Sequence, residues 1–347
     1  MLLNAHQDGR REVAALLRSH GQASGSDAEI LSAAFPLDRA RSLLAREHGF
    51  KDWSDVLASA DVKVDPSFEM AVAAIARGDL RGLRTLLAEK PALARDRSAY
   101  PHHATLLHHV SANGIEHTLQ QASPSNAREL ARALLATGAD PDATCDVYGG
   151  GSGSTPLCLL VSSGPPAVVG VQADVVEELC RGGAKRDGLH DDGEPLWTAI
   201  SFGYRRSVER LAACGARVDN IVFAAALGDL EVVQRWVGRG PEAMAAAPSA
   251  RRVGPRGPTL APDKMLEYAL IYAAGHGRRE VVEFLLTKDP DLTVKEPQWG
   301  ASALGIARYN LDPPEWKLGA GQRSEESRDI VALLEKYAGC ERRRREP

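Results

Sequence analysis

The chain has 347 residues and a formal net charge of −4 at pH 7, with an isoelectric point near 6.2. This balance argues against nucleic acid or an anionic membrane as a general partner, since both favour proteins with a strong basic excess. Aromatic residues make up only 5% of the chain, while alanine and leucine are abundant, which is typical of helices that pack closely through small side chains.

The apolar runs and the cysteines indicate a cytoplasmic protein. Polar residues between Asn4 and Asp8 interrupt the first apolar run, so no signal peptide is expected. No window approaches the roughly 18 apolar residues of a membrane span. Cys158, Cys180 and Cys214 fall within or beside predicted helices, where they are expected as small buried side chains in a reducing compartment. Neither a disulfide framework nor a zinc site is expected.

The N-terminal segment predicts three short helices. Residues 10–20 predict an amphipathic helix, and Asp27 is placed to cap a second one. A third helix ends at Gly49, after which Phe50 and Trp53 are expected to fold back as a hydrophobic cap over the elements that follow. The alternative is that these two aromatic rings recognise a partner.

Three ten-residue phrases recur in one frame along the chain: Thr105–Gly114, Thr155–Gly164 and Glu194–Gly203. Each is followed by an apolar helix that ends in Gly-Ala, at residues 138–139, 183–184 and 215–216. Looser copies begin near Glu69, Asp219, Tyr268 and Ser302. A polar start, a short helix, a turn and a second helix make one unit, so the sequence predicts about seven helix pairs.

The residues at the helix ends fit this pattern. Pro156 and Pro195 occupy first helical turns, where the missing N–H group has no cost. Several glycines are expected to end the first helices with a positive φ: Gly114, Gly164, Gly203, Gly228 and Gly277. Because one pair cannot bury its apolar face alone, the pairs are expected to stack and share a core.

The repeated pattern resembles the ankyrin-repeat family over roughly residues 68–338. The phrase Leu-Ala-Arg-Glu-His-Gly-Phe at 44–50 and the run Tyr-Gly-Gly-Gly-Ser at 148–152 are similar to a bacterial subgroup of that family. The resemblance implies an all-α solenoid of helix pairs with short hairpin loops. Its expected parts are an N-terminal helical cap region at 1–62, the solenoid at 63–338 and a basic, solvated tail at 339–347.

Two neighbouring repeats contain insertions between their helices, at Ile115–Asn126 and Pro165–Ala173. Stacking is expected to bring both loops to one edge, and adjoining long loops often form binding sites. The candidate binding residues come from this region and from the nearby glycine-rich hairpin: His109, Asn113, Glu116, Tyr148, Gly150 and Gly151. Glu116 offers an acid/base group, or alternatively tethers its own loop through backbone hydrogen bonds.

Five of the ten histidines lie between residues 102 and 117, yet no metal site is expected. Adjacent His108 and His109 point about 100° apart on a helix, which makes a shared ion difficult. The resemblance implies that His108 hydrogen-bonds backbone between repeats, whereas His102 and His103 are candidates for the concave side. The glycine run lacks the lysine of a phosphate-binding loop, so no cofactor is expected.

Residues 238–262 are rich in glycine, proline and alanine and include the basic run Arg251–Gly257. This composition favours a disordered segment, with a contact beside the groove as the alternative.

Two functional hypotheses follow. The resemblance implies a non-enzymatic scaffold that binds a protein or peptide on its concave face, through hairpin tips and first helices. The alternative is a small-molecule binding protein or an enzyme, with a pocket formed by the insertions of repeats 2 and 3. The sequence does not decide whether the candidate residues are catalytic, because a fold alone does not fix a function. Neither nucleic acid nor a membrane is expected as a partner.

Overall fold

The described part of the chain forms two compact units, Met1–Val171 (unit 1) and Gln172–Pro347 (unit 2). The computed structural model describes residues 2–10, 13–14, 17–18, 22–47, 50–59, 63–111, 123–147, 151–251, 253, 257–311 and 324–345. These residues are mostly helical. Among them, no helix combines the length and the apolar character that crossing a bilayer requires.

The helices of unit 1 are α1 (Leu2–Gln7), α2 (Asp27–Ser32), α3 (Leu37–Glu47), α4 (Trp53–Ala58), α5 (Pro66–Arg77), α6 (Leu80–Glu89), α7 (Leu106–Ser111), α8 (Ala127–Ala136), α9 (Pro156–Leu160) and α10 (Gly164–Val169). Strands β1 (Cys145–Val147) and β2 (Gly151–Ser154) pair in an antiparallel hairpin, with Cys145 opposite Ser154. The hairpin lies where the sequence predicts a glycine-rich hairpin loop.

The helices of unit 2 are α11 (Gln172–Arg181), α12 (Glu194–Phe202), α13 (Arg205–Ala213), α14 (Ile221–Leu227), α15 (Leu230–Arg239), α16 (Pro241–Met244), α17 (Met265–Gly275), α18 (Arg279–Leu286), α19 (Ala303–Tyr309) and α20 (Ser324–Arg345). The last helix includes backbone that the sequence assigns to a solvated tail from residue 339 onward.

Helices pair and stack within each unit. In unit 1, α5 packs on α6 and α7 on α8, and the first helices α5, α7 and α9 pack in series. In unit 2, the pairs are α12 with α13, α14 with α15, α17 with α18 and α19 with α20, and the first helices again pack in series. The helices lie where the repeated phrases predict them. The total of about seven pairs stays a prediction, since α9 and α11 belong to different units.

Glycine ends several first helices, as the repeats predict. Gly78, Gly203 and Gly228 follow α5, α12 and α14 with φ values of 71°, 75° and 84°, in the left-handed region that glycine enters without strain. The prediction for Gly164 is wrong: it begins α10, and Gly170 ends that helix with φ 86°. The two prolines after Gly164 favour a helix start over a helix stop, because their φ is already helical. Gly114 lies outside the described residues.

Arginines join consecutive second helices. Arg95 Nε donates to the carbonyl oxygen of Gly138, just after α8, at 2.8 Å. In unit 2, Arg186 donates in the same way to the carbonyl of Cys214, just after α13. Each arginine stands directly before an aspartate in the sequence. We name these two contacts the arginine clamps; each satisfies a carbonyl at a helix C-terminus, where intrahelical partners are missing.

The N-terminal part of unit 1 has a small core of its own. Val13, Leu17, Ile30 and Leu43 are buried together. The cap of α2 is Ser26 and not the predicted Asp27, because the Ser26 side chain accepts from the Glu29 amide while the Glu29 carboxylate accepts from the Ser26 amide. The sequence did not predict α1.

Two aromatic residues that follow α3 contact other parts of unit 1. The Phe50 ring lies edge-on to the Tyr100 ring, with centroids 6.5 Å apart. The Arg41 guanidinium lies over the Trp53 ring at 5.6 Å. These contacts are compatible with the predicted cap, whose role stays a prediction.

The segment between α15 and α17 is folded, so the expectation of disorder is wrong for its described residues. Met244, Ala250 and Leu260 are buried, and Trp197 Nε1 donates to the Ser249 carbonyl at 2.6 Å. A buried indole needs an acceptor for its N–H group, and this segment supplies it. Short helical turns at Pro241–Met244 and Pro248–Ala250 provide the local structure.

Candidate functional site

A tight turn in unit 2 is organised around one buried carboxylate. Glu296 is 1% exposed. Its Oε1 accepts from the amides of Trp299 and Ala301, at 2.9 and 3.0 Å, and its Oε2 accepts from the Gln298 amide at 2.7 Å. The Tyr272 hydroxyl lies 3.4 Å from the same Oε2. A carboxylate that accepts several backbone amides fixes the turn, since charge-assisted hydrogen bonds are stronger than neutral ones.

This turn presents the indole of Trp299 to solvent. The side chain of Trp299 is 56% exposed, although its Nε1 donates to the Ser201 carbonyl at 3.1 Å. Its ring stands edge-on to Phe202, with centroids 5.5 Å apart, and Phe202 stacks in parallel with Tyr204 at 6.3 Å. The indole is therefore held at both its polar and its apolar edge while much of its surface stays open.

A further tyrosine extends this surface. Tyr309, at the end of α19, is 41% exposed. Burial raises the pKa of the Tyr204 hydroxyl, and the charge of Tyr309 adds to the rise. We name Phe202, Tyr204, Trp299 and Tyr309 the aromatic platform. Trp299 and Tyr309 are exposed and Phe202 is half-buried, whereas Tyr204, which stacks on Phe202, is only 2% exposed. It lies where α12 and α19 end, beside the Glu296 turn.

The platform rests on a layer of buried rings. Trp197 on α12 contacts Phe223 and Tyr272 edge-on, with centroid distances of 4.9 and 5.9 Å. All three side chains are fully buried. Burial raises the pKa of the Tyr272 hydroxyl, with the Glu296 charge as a further cause. Tyr272 therefore stays neutral and joins the ring layer to the Glu296 turn.

An ion-pair network lies next to the platform. Arg205, which begins α13, contacts Glu209 at 3.1 Å and Glu326 at 2.6 Å, and Arg278 contacts Glu209 at 2.8 Å. Burial raises the pKa of Glu209, but the hydrogen bonds and charges of Arg278 and Arg205 outweigh it and hold the pKa below its usual value. Linking α13, α18 and α20 in this way helps to fix the turn between α12 and α13.

Two of the six residues predicted as a site, His109 and Gly151, lie in the described structure. His109 is 2% exposed and lies against the Phe68 and His102 rings, at 6.2 and 6.0 Å. Gly151 belongs to β2, opposite Val147. The remaining candidates lie outside the described residues: Asn113, Glu116, Tyr148 and Gly150. The set as a whole stays a prediction.

The other histidines of this region divide into structural and exposed ones. The prediction for His108 is confirmed: its Nε2 donates to the Ser154 carbonyl at 3.0 Å, and its Nδ1 accepts from the Thr105 amide at 3.1 Å and hydroxyl at 2.8 Å. The prediction that His102 faces the concave side is wrong, because it is 1% exposed. His103 is exposed, with φ 48°. Over the described ranges, no three potential ligand side chains are grouped for a metal ion.

The aromatic platform was not predicted from the sequence. Two signals were present: Phe202 and Tyr204 flank the turn glycine Gly203, and Trp299 precedes Gly300 just before the helix start expected near Ser302. A tryptophan beside a glycine, outside the apolar pattern of the helices, indicates an exposed side chain. Trp and Tyr side chains supply much of the binding energy at protein interfaces, and the platform offers that chemistry.

Similarity to known proteins is found among solved structures. No protein-family model matches the chain, and no curated protein matches it. Among solved structures, the chain is similar to the human ASB11 ankyrin repeat domain, with 21% sequence identity. The likeness covers 77% of this chain and 97% of that chain, with a TM-score of 0.39.

Proposed function

We propose that this chain is an ankyrin-repeat module that binds a protein or peptide partner, with the aromatic platform as a main contact. The supporting observation is Trp299, which is 56% exposed and yet fixed by the Glu296 turn and the Ser201 carbonyl. A side chain already held in place loses little conformational entropy on binding, so more of its contact energy contributes to affinity.

The helix pairs support the architectural part of the proposal. Capped first helices, left-handed turn glycines and stacked second helices recur in both units, as in a repeat array. We infer that residues 63–338 are the ankyrin-repeat solenoid and residues 1–62 its N-terminal cap, and that the partner lies on the concave face. The alternative of a small-molecule pocket between the insertions of repeats 2 and 3 has little support from the described residues.

The proposal is tested with peptides selected from a displayed random library against the full-length wild-type chain. For a selected peptide, Trp299→Ala is expected to weaken binding about 30-fold or more, corresponding to about 2 kcal/mol at an interface hot spot. Trp236→Ala is the matched control: this tryptophan lies on α15 in the same unit, with the Arg239 guanidinium over its ring at 5.4 Å, and is not one of the platform residues.

Thermal unfolding of both variants checks that each remains folded. The platform is ruled out as the binding surface if the peptides bind Trp299→Ala as tightly as wild type, whether or not Trp236→Ala weakens binding.

A further inference from the structure

The described tryptophans that reach the surface differ in whether a cation of the chain lies over the ring. The Arg41 guanidinium lies 5.6 Å from the centroid of the Trp53 ring. The Arg239 guanidinium lies 5.4 Å from that of Trp236. Both rings are half-buried, whereas Trp299 is 56% exposed, and within the described ranges no lysine or arginine lies over it. Because the face of an indole attracts cations, Trp299 offers an open position for one.

A buried negative charge lies close to this open ring. One carboxylate oxygen of Glu296 is 2.9 Å from the Trp299 amide nitrogen, so the charge is within a side chain's length of the indole. Its hydrogen-bond donors in the described structure are uncharged: three backbone amides and the Tyr272 hydroxyl. Since Glu296 is only 1% exposed, solvent screens its charge poorly, and a cation on the indole is favoured.

Two helix ends contribute to the same negative potential. α12 ends at Phe202 and α19 ends at Tyr309, and both residues belong to the platform. The C-terminal end of a helix carries a partial negative charge, which attracts cations. The Ser201 carbonyl, near the end of α12, also accepts a hydrogen bond from Trp299 Nε1. This hydrogen bond polarises the indole and increases the electron density of its ring.

The arginines next to the platform in sequence are already engaged by carboxylates. Arg205 contacts Glu209 at 3.1 Å and Glu326 at 2.6 Å. Arg308 contacts Glu335 at 2.6 Å. These ion pairs largely cancel the positive charges of the two arginines, so they do not replace a cation on the indole.

We propose that the partner places an arginine side chain on the aromatic platform, with its guanidinium stacked on the Trp299 indole as Arg41 and Arg239 are on their own rings. A guanidinium suits this position because it is planar and weakly hydrated, and stacks on aromatic faces. The inference rests on the proposed function and specifies the chemistry of the peptide that the platform binds.

The probes are acetylated and amidated pentapeptides that differ only in the central residue, which is arginine, citrulline, leucine or glutamate. Citrulline has nearly the shape of arginine without its charge. Binding to the full-length ¹⁵N-labelled chain is followed by the indole N–H resonance of Trp299, which is identified by its loss in Trp299→Phe. The Trp236 resonance is the internal control, because Arg239 already covers that ring. The arginine peptide is expected to bind about 5-fold more tightly than the citrulline peptide.

Fluorinated tryptophans at position 299 separate cation binding from apolar packing. Fluorine withdraws electron density from the ring with little change in its shape. Each added fluorine is therefore expected to weaken binding of the arginine peptide and to leave the leucine peptide nearly unchanged. Glu296→Gln is expected to reduce the preference for arginine over citrulline. This preference is a ratio of two affinities in one variant, so a general loosening of the turn affects both.

The inference is overturned if the citrulline or leucine peptide binds as tightly as the arginine peptide, if fluorination leaves arginine binding unchanged, or if no peptide moves the Trp299 resonance. A preference for the glutamate peptide would also overturn it, and would indicate an acidic partner held by the exposed Arg206 and Lys295. If library-selected peptides lose affinity for Trp299→Ala but need no arginine, the proposed function stands and only this inference fails.

Discussion

At the scale of single residues, His108 shows how a buried imidazole joins consecutive repeats while it stays neutral. Burial lowers its pKa from the ordinary value of 6.5 to about 3. Between these two values the unfolded chain binds a proton that the folded chain does not bind. The stability linked to His108 is therefore complete above about pH 6.5 and is lost as the pH falls toward about 3.

The pH dependence is tested with His108→Gln. As the pH falls below 6.5, the ordinary pKa of a histidine, the free energy of unfolding of the wild type is expected to fall more steeply than that of the variant. The difference in slope is at most about 1.4 kcal/mol per pH unit. Denaturant unfolding at about pH 7.5 and about pH 5 measures it. Equal slopes in the two proteins would mean that His108 does not resist protonation in the folded state.

Two glycines around α15 are expected to respond in opposite directions to alanine. Gly228 has φ 84°, and an added Cβ would lie 2.9 Å from Arg278 Cδ, so Gly228→Ala is expected to cost about 1–2 kcal/mol. Gly238 lies inside α15 with open space at its Cβ position, so Gly238→Ala is expected to stabilise by about 0.5–1 kcal/mol. Chemical denaturation of both variants measures the change in the free energy of unfolding. A change of the same sign in both would contradict the turn assigned at Gly228.

At the scale of elements, the Glu296 turn depends on one side chain. Glu296→Gln removes the charge and one acceptor, and we expect it to lower the free energy of unfolding by about 1.5–3 kcal/mol. Acrylamide quenching should rise as Trp299 loses its fixed position. Glu280→Gln, at an exposed site in the first turn of α18, is the control with little expected change. Unaltered quenching after Glu296→Gln would show that the indole is held in another way.

The segment between α15 and α17 gives a second prediction at this scale. Trp197→Phe leaves the Ser249 carbonyl without its indole donor, so the segment is expected to detach more often. Limited trypsin digestion should then cleave after Arg251, an exposed residue, several times faster than in wild type. Trp236→Phe is the matched substitution. Equal cleavage rates in all three proteins would contradict the role assigned to Trp197.

These elements also show which parts of the structure the sequence could predict. Helix positions follow from local signals such as Pro195 at a helix start and Gly203 at its end, and those predictions were confirmed. The fold of the α15–α17 segment and the aromatic platform depend on partners that are distant in sequence. Trp197 and Ser249 are 52 residues apart, and Trp299 and Ser201 are 98 apart. Composition and periodicity contain no information about such pairs, so a folded segment was predicted to be disordered.

At the scale of the whole molecule, each unit contains its own buried core, and each is expected to respond to substitutions made within it. Leu134→Ala on α8 and Leu285→Ala on α18 both remove fully buried side chains, at a cost of about 3 kcal/mol each. We expect Leu134→Ala to lower hydrogen-exchange protection chiefly in unit 1, and Leu285→Ala chiefly in unit 2. An equal loss of hydrogen-exchange protection in both units from either change would show that the chain unfolds as a single cooperative unit.

The arginine clamps of Arg95 and Arg186 have a consequence for how such a chain lengthens or shortens in evolution. Each guanidinium recognises a main-chain oxygen, which every amino acid provides. A duplicated module that inherits the arginine therefore finds an acceptor in whichever module comes next, with no matching side chain to be selected. Gain or loss of one module therefore preserves these hydrogen bonds to the main chain. This favours changes in the number of modules over changes in the residues at their junctions.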